Sequence, residues 1–282
     1  MAKQINMKSN EKLNFVFFGT PDVASKTLEI LKSNGYLPSL IVTSPDKPQG
    51  RKMTITPPPV KIWAEENNIS YIQPEKIDQE FINNFSSFNF ELAIVVAYGK
   101  ILPENLIKLP KLGTINIHYS LLPKYRGASP VEASLLNGDT ETGVSIQQMD
   151  FKLDSGPILD IEKVKIDIND TKNILRDKLI KIGGELLCKI LPEIIEGKIE
   201  GKIQNENDAT FCKKIKKEDG LIDPNGNAME NWNKYRAYFG WPGVYFFKDG
   251  KRIKITKARY ENGGFIIDKI IKEGGKEISY QN

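Results

Sequence analysis

Residues 14–35 read NFVFFGTPDVASKTLEILKSNG, and this stretch sets the fold class. It opens with a short apolar run, 14–18, closed by Gly19-Thr20-Pro21-Asp22, the pattern of a buried strand entering a turn. Val23, Leu28 and Leu31 then recur at near-helical spacing, and Gly35 marks a stop. The same unit repeats downstream. Residues 40–43 (LIVT) and 92–97 (LAIVVA) read as further buried strands, with helices over 60–66 and about 79–85 between them. Strands alternating with helices predict an α/β domain built on an open, mostly parallel, Rossmann-like sheet. Residues 113–118 (GTINIH) and 144–149 (VSIQQM) add two more strands, and 174–195 reads as a long amphipathic helix ending near Gly197. The first strand-to-helix turn lacks G-x-G-x-x-G, and no G-x-x-x-x-G-K-[ST] occurs, so dinucleotide and P-loop readings are set aside.

Outward from this region the composition changes. Residues 1–13 are polar and lysine-bearing and read as a flexible leader, with no apolar signal segment. The catalytic domain is expected over 14–198 and a linker over 199–210. A small basic C-terminal β domain follows over 211–282, with short strands near 243–247, 252–258 and 265–271. That last part carries 15 Lys+Arg against 9 Asp+Glu, whereas the net charge of all 282 residues is only +4. The asymmetry suggests a polyanionic partner, and a solvated lysine-rich surface is the competing reading.

The two cysteines, Cys188 and Cys212, cannot build a disulfide framework or a Cys-rich zinc site, so a reducing cytoplasm is expected. Cys188 and the three tryptophans, Trp63, Trp232 and Trp241, are expected in packing roles. No run approaches the ~20 apolar residues of a membrane span, so no membrane association is expected. There is one histidine, His118. Any imidazole chemistry must use it, and no metal site is expected.

His118 ends the GTINIH strand, with Asn116 two residues earlier and so on the same side. Ligands bind at the carboxyl ends of strands in open α/β sheets. Asp154 follows the VSIQQM strand in a turn, M-D-F-K-L-D-S-G-P. An asparagine amide can hold a developing oxyanion, a histidine can donate from one ring nitrogen while a carboxylate supports its charge, and an aspartate can relay a proton. Such a set suits direct acyl transfer between two nitrogens. Taken singly, a strand-borne histidine is more often a structural hydrogen-bonding residue, and an aspartate before Ser-Gly-Pro is most often a turn former.

Asn116-x-His118 with Ser120-Leu-Leu-Pro123, Arg126-Gly127 and Leu153-Asp154-Ser155-Gly156 resembles the folate-dependent formyltransferase family. Segments 17–31, 46–61, 95–103, 137–156, 214–223 and 241–247 extend the resemblance over nearly the whole chain, and are similar to the branch that acts on aminoacylated tRNA. The resemblance implies that Asn116, His118 and Asp154 are catalytic, with Asn116 and a protonated His118 on the oxyanion and Asp154 holding His118. It implies 10-formyltetrahydrofolate as co-substrate, contacted by Ser120, Leu121, Leu122 and Pro123. Backbone around Tyr98, Gly99, Lys100, Ile101 and Leu102, and around Met149 and Asp150, would meet the pterin. The implied acceptor is the free amino group of the initiator methionyl-tRNA, and a monomer is expected.

The loop 44–59 carries five prolines and the cations Lys47, Arg51 and Lys52. The resemblance makes it the part that reaches the tRNA, and a proline-stiffened surface loop is the plain alternative. Lys213 and Lys214 are expected to touch tRNA from the C-terminal side. The C-terminal part resembles an OB-type barrel but is short, so an abbreviated barrel is expected. Other readings are transfer to an amino sugar nucleotide, hydrolysis of the formyl donor, and RNA binding without catalysis.

Overall fold

The computed structural model describes residues 13–50 and 53–280. Two compact units divide the chain. The first takes the residues up to Asn116 together with Gln148–Phe151 and Leu187–Glu200. In chain order it begins with β1 (Phe15–Gly19), α1 (Asp22–Ser33), β2 (Leu40–Val42), β3 (Lys47–Gln49) and β4 (Thr54–Thr56). It continues with α2 (Pro59–Glu66), β5 (Tyr71–Ile72), α3 (Gln79–Ser86), β6 (Leu92–Val96), α4 (Glu104–Ile107) and the start of β7 (Thr114–His118). The second unit, Ile117–Gln147, Lys152–Leu186 and Gly201 onward, holds β8 (Arg126–Gly127), α5 (Pro130–Leu136), β9 (Glu141–Gln148) and β10 (Ile158–Lys165). After α6 (Lys172–Ile195), which spans the division, come β11 (Phe211–Cys212), α7 (Ala228–Ala237), β12 (Val244–Lys248), β13 (Lys251–Glu261), β14 (Gly264–Lys272) and β15 (Glu277–Ser279).

The main sheet runs β10-β9-β7-β6-β1-β2-β5. β1 is parallel to β2 and to β6, and β6 to β7, whereas β9 and β10 pair antiparallel. All five residues of β1 are buried, because a strand covered on both faces has no polar side to show. Val16 and Phe18 pack with Leu40, Val42, Ala93 and Val95, and with Ile82 and Phe85 of α3. Helix α1 buries Val23, Ala24, Thr27, Leu28 and Leu31 in one stripe, and each fully buried leucine contributes roughly 1.5–3 kcal/mol. These are the strands and helices that the apolar patterning predicts.

Other elements differ from the expectation. The proline-bearing stretch 44–59 contains an antiparallel hairpin, β3–β4, in place of a plain loop. β10 carries no sequence signal, because it is an edge strand whose residues are mostly half-buried or exposed. Trp63 and Trp232 are buried, but Trp241 is half exposed in the turn before β12. In the C-terminal region β12-β13-β14-β15 form an open antiparallel meander among the described residues, in keeping with the small, abbreviated β domain that was expected. Its hairpins turn on Asp249-Gly250 and Asn262-Gly263, pairs suited to two-residue turns. Helix α7 packs with this sheet, Trp232 stacking on Tyr235 and Tyr260. Strict alternation along β13 would split its cations between two faces. Irregular pairing around Lys257 instead leaves Lys254, Lys257 and Arg259 exposed while Ile253, Ile255 and Ala258 are buried. Among the described residues no helix is long and apolar enough to cross a membrane.

Gly143, in the middle of β9, sits where backbone approaches closely. A Cβ there would lie 2.3 Å from the Glu162 carbonyl oxygen and 2.4 Å from Leu121 Cδ2. Gly143→Ala is therefore expected to destabilise the protein by about 1–3 kcal/mol, read as a melting temperature lower by several degrees; an unchanged melting temperature would show that β9 and β10 can part at no cost.

Candidate active site

β7 ends at His118, whose side chain is buried, and Asn116 lies two residues earlier on the same face of the strand, partly exposed. The imidazole Nε2 is 2.9 Å from the carbonyl oxygen of Tyr125. A carbonyl can only accept, so Nε2 carries a hydrogen and donates it. The other ring nitrogen, Nδ1, is 3.7 Å from Asp154 Oδ2. That is too long for a direct hydrogen bond and short enough for attraction when the ring is charged. The expected arrangement left one ring nitrogen facing substrate while the carboxylate held the other. Here Tyr125 occupies the nitrogen that the carboxylate does not face, and Nδ1 is the nitrogen left toward Asp154.

Tyr125 is itself tightly fixed. Its backbone is left-handed, with φ +59°. Its hydroxyl donates to Asp139 at 2.6 Å and accepts from the Asn137 amide at 2.9 Å. Burial, helped by the Asp139 carboxylate, pushes that hydroxyl up to about 12.

Asp154 is also left-handed, with φ +47°, a conformation that costs a non-glycine residue on the order of 1 kcal/mol. The Ser155 hydroxyl, donating to the Lys152 carbonyl at 2.9 Å, closes the turn behind it. Its carboxylate is nearly buried and held on both oxygens: Gly127 N–H donates to Oδ2 at 2.8 Å and Gln147 Nε2 to Oδ1 at 3.0 Å. Gly127 has no space for a side chain, since a Cβ would stand 2.2 Å from the Cys212 carbonyl oxygen.

Beneath this turn lies Arg126, completely buried. Its Nε and Nη2 donate to Gln204 Oε1 at 3.1 and 2.9 Å, and Nη2 also to Glu206 Oε1 at 2.8 Å. Hydrogen bonds from Arg126 and Lys152 pull the Glu206 carboxyl down to about 2. The amide of Gln204 then donates to the carbonyls of Asp154, at 2.9 Å, and Gly156, at 2.7 Å. These residues belong to the stretch expected as a linker. Residues 210–212 likewise pair with the site: Arg126 N–H donates to the Thr210 carbonyl, and β11 lies parallel to β8. Burial pushes the Cys212 thiol up, the opposite of what its neighbouring lysines alone would do.

The stretches expected to meet folate are mixed in character. The Ser120 hydroxyl is fully buried and donates to the Lys124 carbonyl at 2.6 Å, shaping the loop in which Leu122 is buried and Leu121 and Pro123 are half-buried. Tyr98 is buried, which pushes its hydroxyl up to about 12, and its carbonyl accepts from Thr20. Gly99 and Ile101 are exposed and Leu102 is buried. Lys100 donates to the carbonyls of Pro74 and Glu75, and burial together with the Lys47 charge holds its pKa down. Met149 N–H donates to the Thr114 carbonyl while its side chain packs on the core, and Asp150 is exposed beside Phe151. Of the residues expected to touch tRNA, Lys47, Lys213 and Lys214 are exposed, and Arg51 and Lys52 lie outside the described residues. Among the described residues no cluster of three or more His, Cys, Asp or Glu converges on a point that could hold a metal ion.

Comparisons with known proteins place the chain in a family. Residues 12–191 match the family described as formyl transferase, and residues 214–279 match its C-terminal domain. The methionyl-tRNA formyltransferase of Sulfurihydrogenibium sp. (strain YO3AOP1) is 40% identical over 269 residues, covering 94% of this chain and 86% of that protein. That of Thermodesulfovibrio yellowstonii is 41% identical over 258 residues, covering 91% and 83%. Among solved structures, an N-formyltransferase from Helicobacter canadensis, in complex with folinic acid and dTDP-3-aminofucose, superposes with a TM-score of 0.68 at 20% identity over 96% of this chain and 100% of that one. Methionyl-tRNA formyltransferase from Clostridium thermocellum gives 0.62 at 16% identity over 95% and 100%. The solved structures establish a shared fold. With both family domains matched in chain order and about two residues in five shared with such enzymes, this chain belongs to the formyl transferase family.

Proposed function

We propose that this enzyme transfers the formyl group of 10-formyltetrahydrofolate to the α-amino group of the initiator methionyl-tRNA. The observation that carries the reading is the buried His118–Asp154 pair, 3.7 Å apart, at the end of the strand that bears Asn116. The names of the relatives that share about 40% of their residues with this chain support the acceptor. Ile101 and Phe151, in the two stretches that the resemblance assigns to the pterin, are 85% and 60% exposed and so open to a flat, largely apolar donor.

The side chains divide the chemistry as follows. The Asn116 amide donates to the oxygen that becomes negative as the amine nitrogen bonds to the formyl carbon. His118, its Nε2 hydrogen committed to Tyr125, offers Nδ1 for the proton in transit. Asp154 stabilises the charged imidazole and, across the gap, takes the proton that the amine sheds. The charged His118 gives its Nδ1 proton to the folate nitrogen as the old carbon–nitrogen bond breaks and is recharged by the proton that Asp154 took, so the proton count closes without net uptake. The exposed Lys47, Lys213 and Lys214, together with Arg51 and Lys52, would serve phosphate contacts of the tRNA and carry the salt dependence of binding.

Purified protein with 10-formyltetrahydrofolate should formylate charged initiator tRNA and leave an amino sugar nucleotide unmodified. Transfer only to the sugar would replace the proposed acceptor. Asp154→Asn and His118→Ala should each lower kcat by about 10²–10³-fold, the loss typical of an electrostatic group acting in the transition state, with KM for the folate little changed. Near-native turnover in either variant would remove these roles. Replacing Lys47, Arg51 and Lys52 by Ala should raise KM for tRNA and flatten its salt dependence by up to about 2–3 in logarithmic slope, with folate kinetics intact; equal damage to both substrates would count against a tRNA contact.

A further inference from the structure

Gln147 is buried in β9, has no place in the chemistry described above, and donates to Asp154 Oδ1 at 3.0 Å. We propose that Gln147 is a positioning residue whose amide fixes the Asp154 carboxylate opposite His118 Nδ1. The inference rests on the formyl-transfer reading of this site.

The orientation of each amide in the network follows from Arg126. A guanidinium has only donors and keeps its proton, so Gln204 must turn its oxygen toward it, as observed. The Gln204 nitrogen then has only acceptors to meet: the carbonyls of Asp154 and Gly156, and at 3.5 Å the oxygen of Gln147. With its own oxygen on that side, Gln147 is left with its N–H groups toward the carboxylate. Charge fixed at Arg126 thus sets the polarity of both amides, and the last one ends on the carboxylate. Gly127 N–H restrains Oδ2 alone, about which the carboxylate could still swing. The second donor, from Gln147, removes that freedom and keeps Oδ2 facing the imidazole. A hydrophobic side chain of the same length at 147 would fill the space without holding the carboxylate.

Because His118 is the only histidine, its two ring nitrogens can be followed individually by long-range 1H–15N NMR. Two variants separate positioning from packing. Gln147→Met keeps length and loses the donor. Gln147→Glu turns acceptors toward Asp154 until it is protonated. The charged and titratable groups around this carboxylate, His118 on β7, Arg126 on β8, Lys152 on its own loop, Glu206 and Cys212, are retained in both. In Gln147→Met, kcat should fall about tenfold, the loss of one hydrogen bond to a charged group, at unchanged KM for 10-formyltetrahydrofolate. The Nδ1 resonance should move while the Nε2 resonance, held by Tyr125, stays. Gln147→Glu should be the poorer enzyme above neutral pH and recover as the pH falls and its carboxyl gains a hydrogen to donate. An unmoved Nδ1 resonance in Gln147→Met, a kcat within error of native, or a rise in KM alone would overturn the proposal. The NMR readout needs no turnover, so it decides the role of Gln147 even if the native enzyme proves to use a different acceptor.

Discussion

Arg126 carries a charge that it cannot shed, in a place that water does not reach. Burying such a group unaccompanied is prohibitive, so the fold must bring acceptors to it, and much of the local architecture is the means by which it does so. Gln204 and Glu206 arrive from a stretch some 80 positions away in sequence. Once Gln204 is committed to the guanidinium, its other end closes on the backbone of the Asp154 turn. The same residue that bears the charge is followed by Gly127, whose N–H holds the carboxylate. A buried ion pair of this kind is weak evidence for stability. Its consequence here is geometric, because it leaves the left-handed Asp154 turn few alternative arrangements.

From that constraint the site follows by ordinary strand geometry. β7 delivers Asn116 and His118 to one face, and Tyr125, anchored through its hydroxyl, takes one ring nitrogen out of use. What remains is a single ring nitrogen facing a single carboxylate across a gap. The carboxylate is held in turn on both oxygens, by the Gly127 N–H and the Gln147 amide.

The sequence announces the parts of this molecule that are hydrophobic and covered on both faces. β1, β2 and β6 are visible as apolar runs because their neighbours in a parallel sheet leave no polar side, and β7 is visible by its alternation. β10 is not, since an edge strand may be polar, and β3–β4 is hidden by the prolines that frame it. The three residues expected to be catalytic were legible through the resemblance of their motifs. Their partners were not. The Tyr125 carbonyl and the Gly127 N–H are backbone groups, which every residue has and no motif can advertise. Gln204 and Glu206 sit in a polar stretch whose composition reads as a spacer, although each is committed to Arg126. Gln147 stands one position before Gln148 in a strand, and only register tells which of the two looks toward the carboxylate.

The C-terminal meander leaves its rims unjoined, and each rim is treated differently. Along β12, Leu221 bridges to Tyr245, and the neighbouring Ile222 N–H donates to the Tyr245 carbonyl, so a strand from another molecule finds part of the docking line already taken. At the opposite rim β15 is only three residues long, and Glu277 is tied to Lys269 of β14. So short and charged a border offers little for a foreign chain to extend. A sheet that does not close upon itself thus carries a guard on each border.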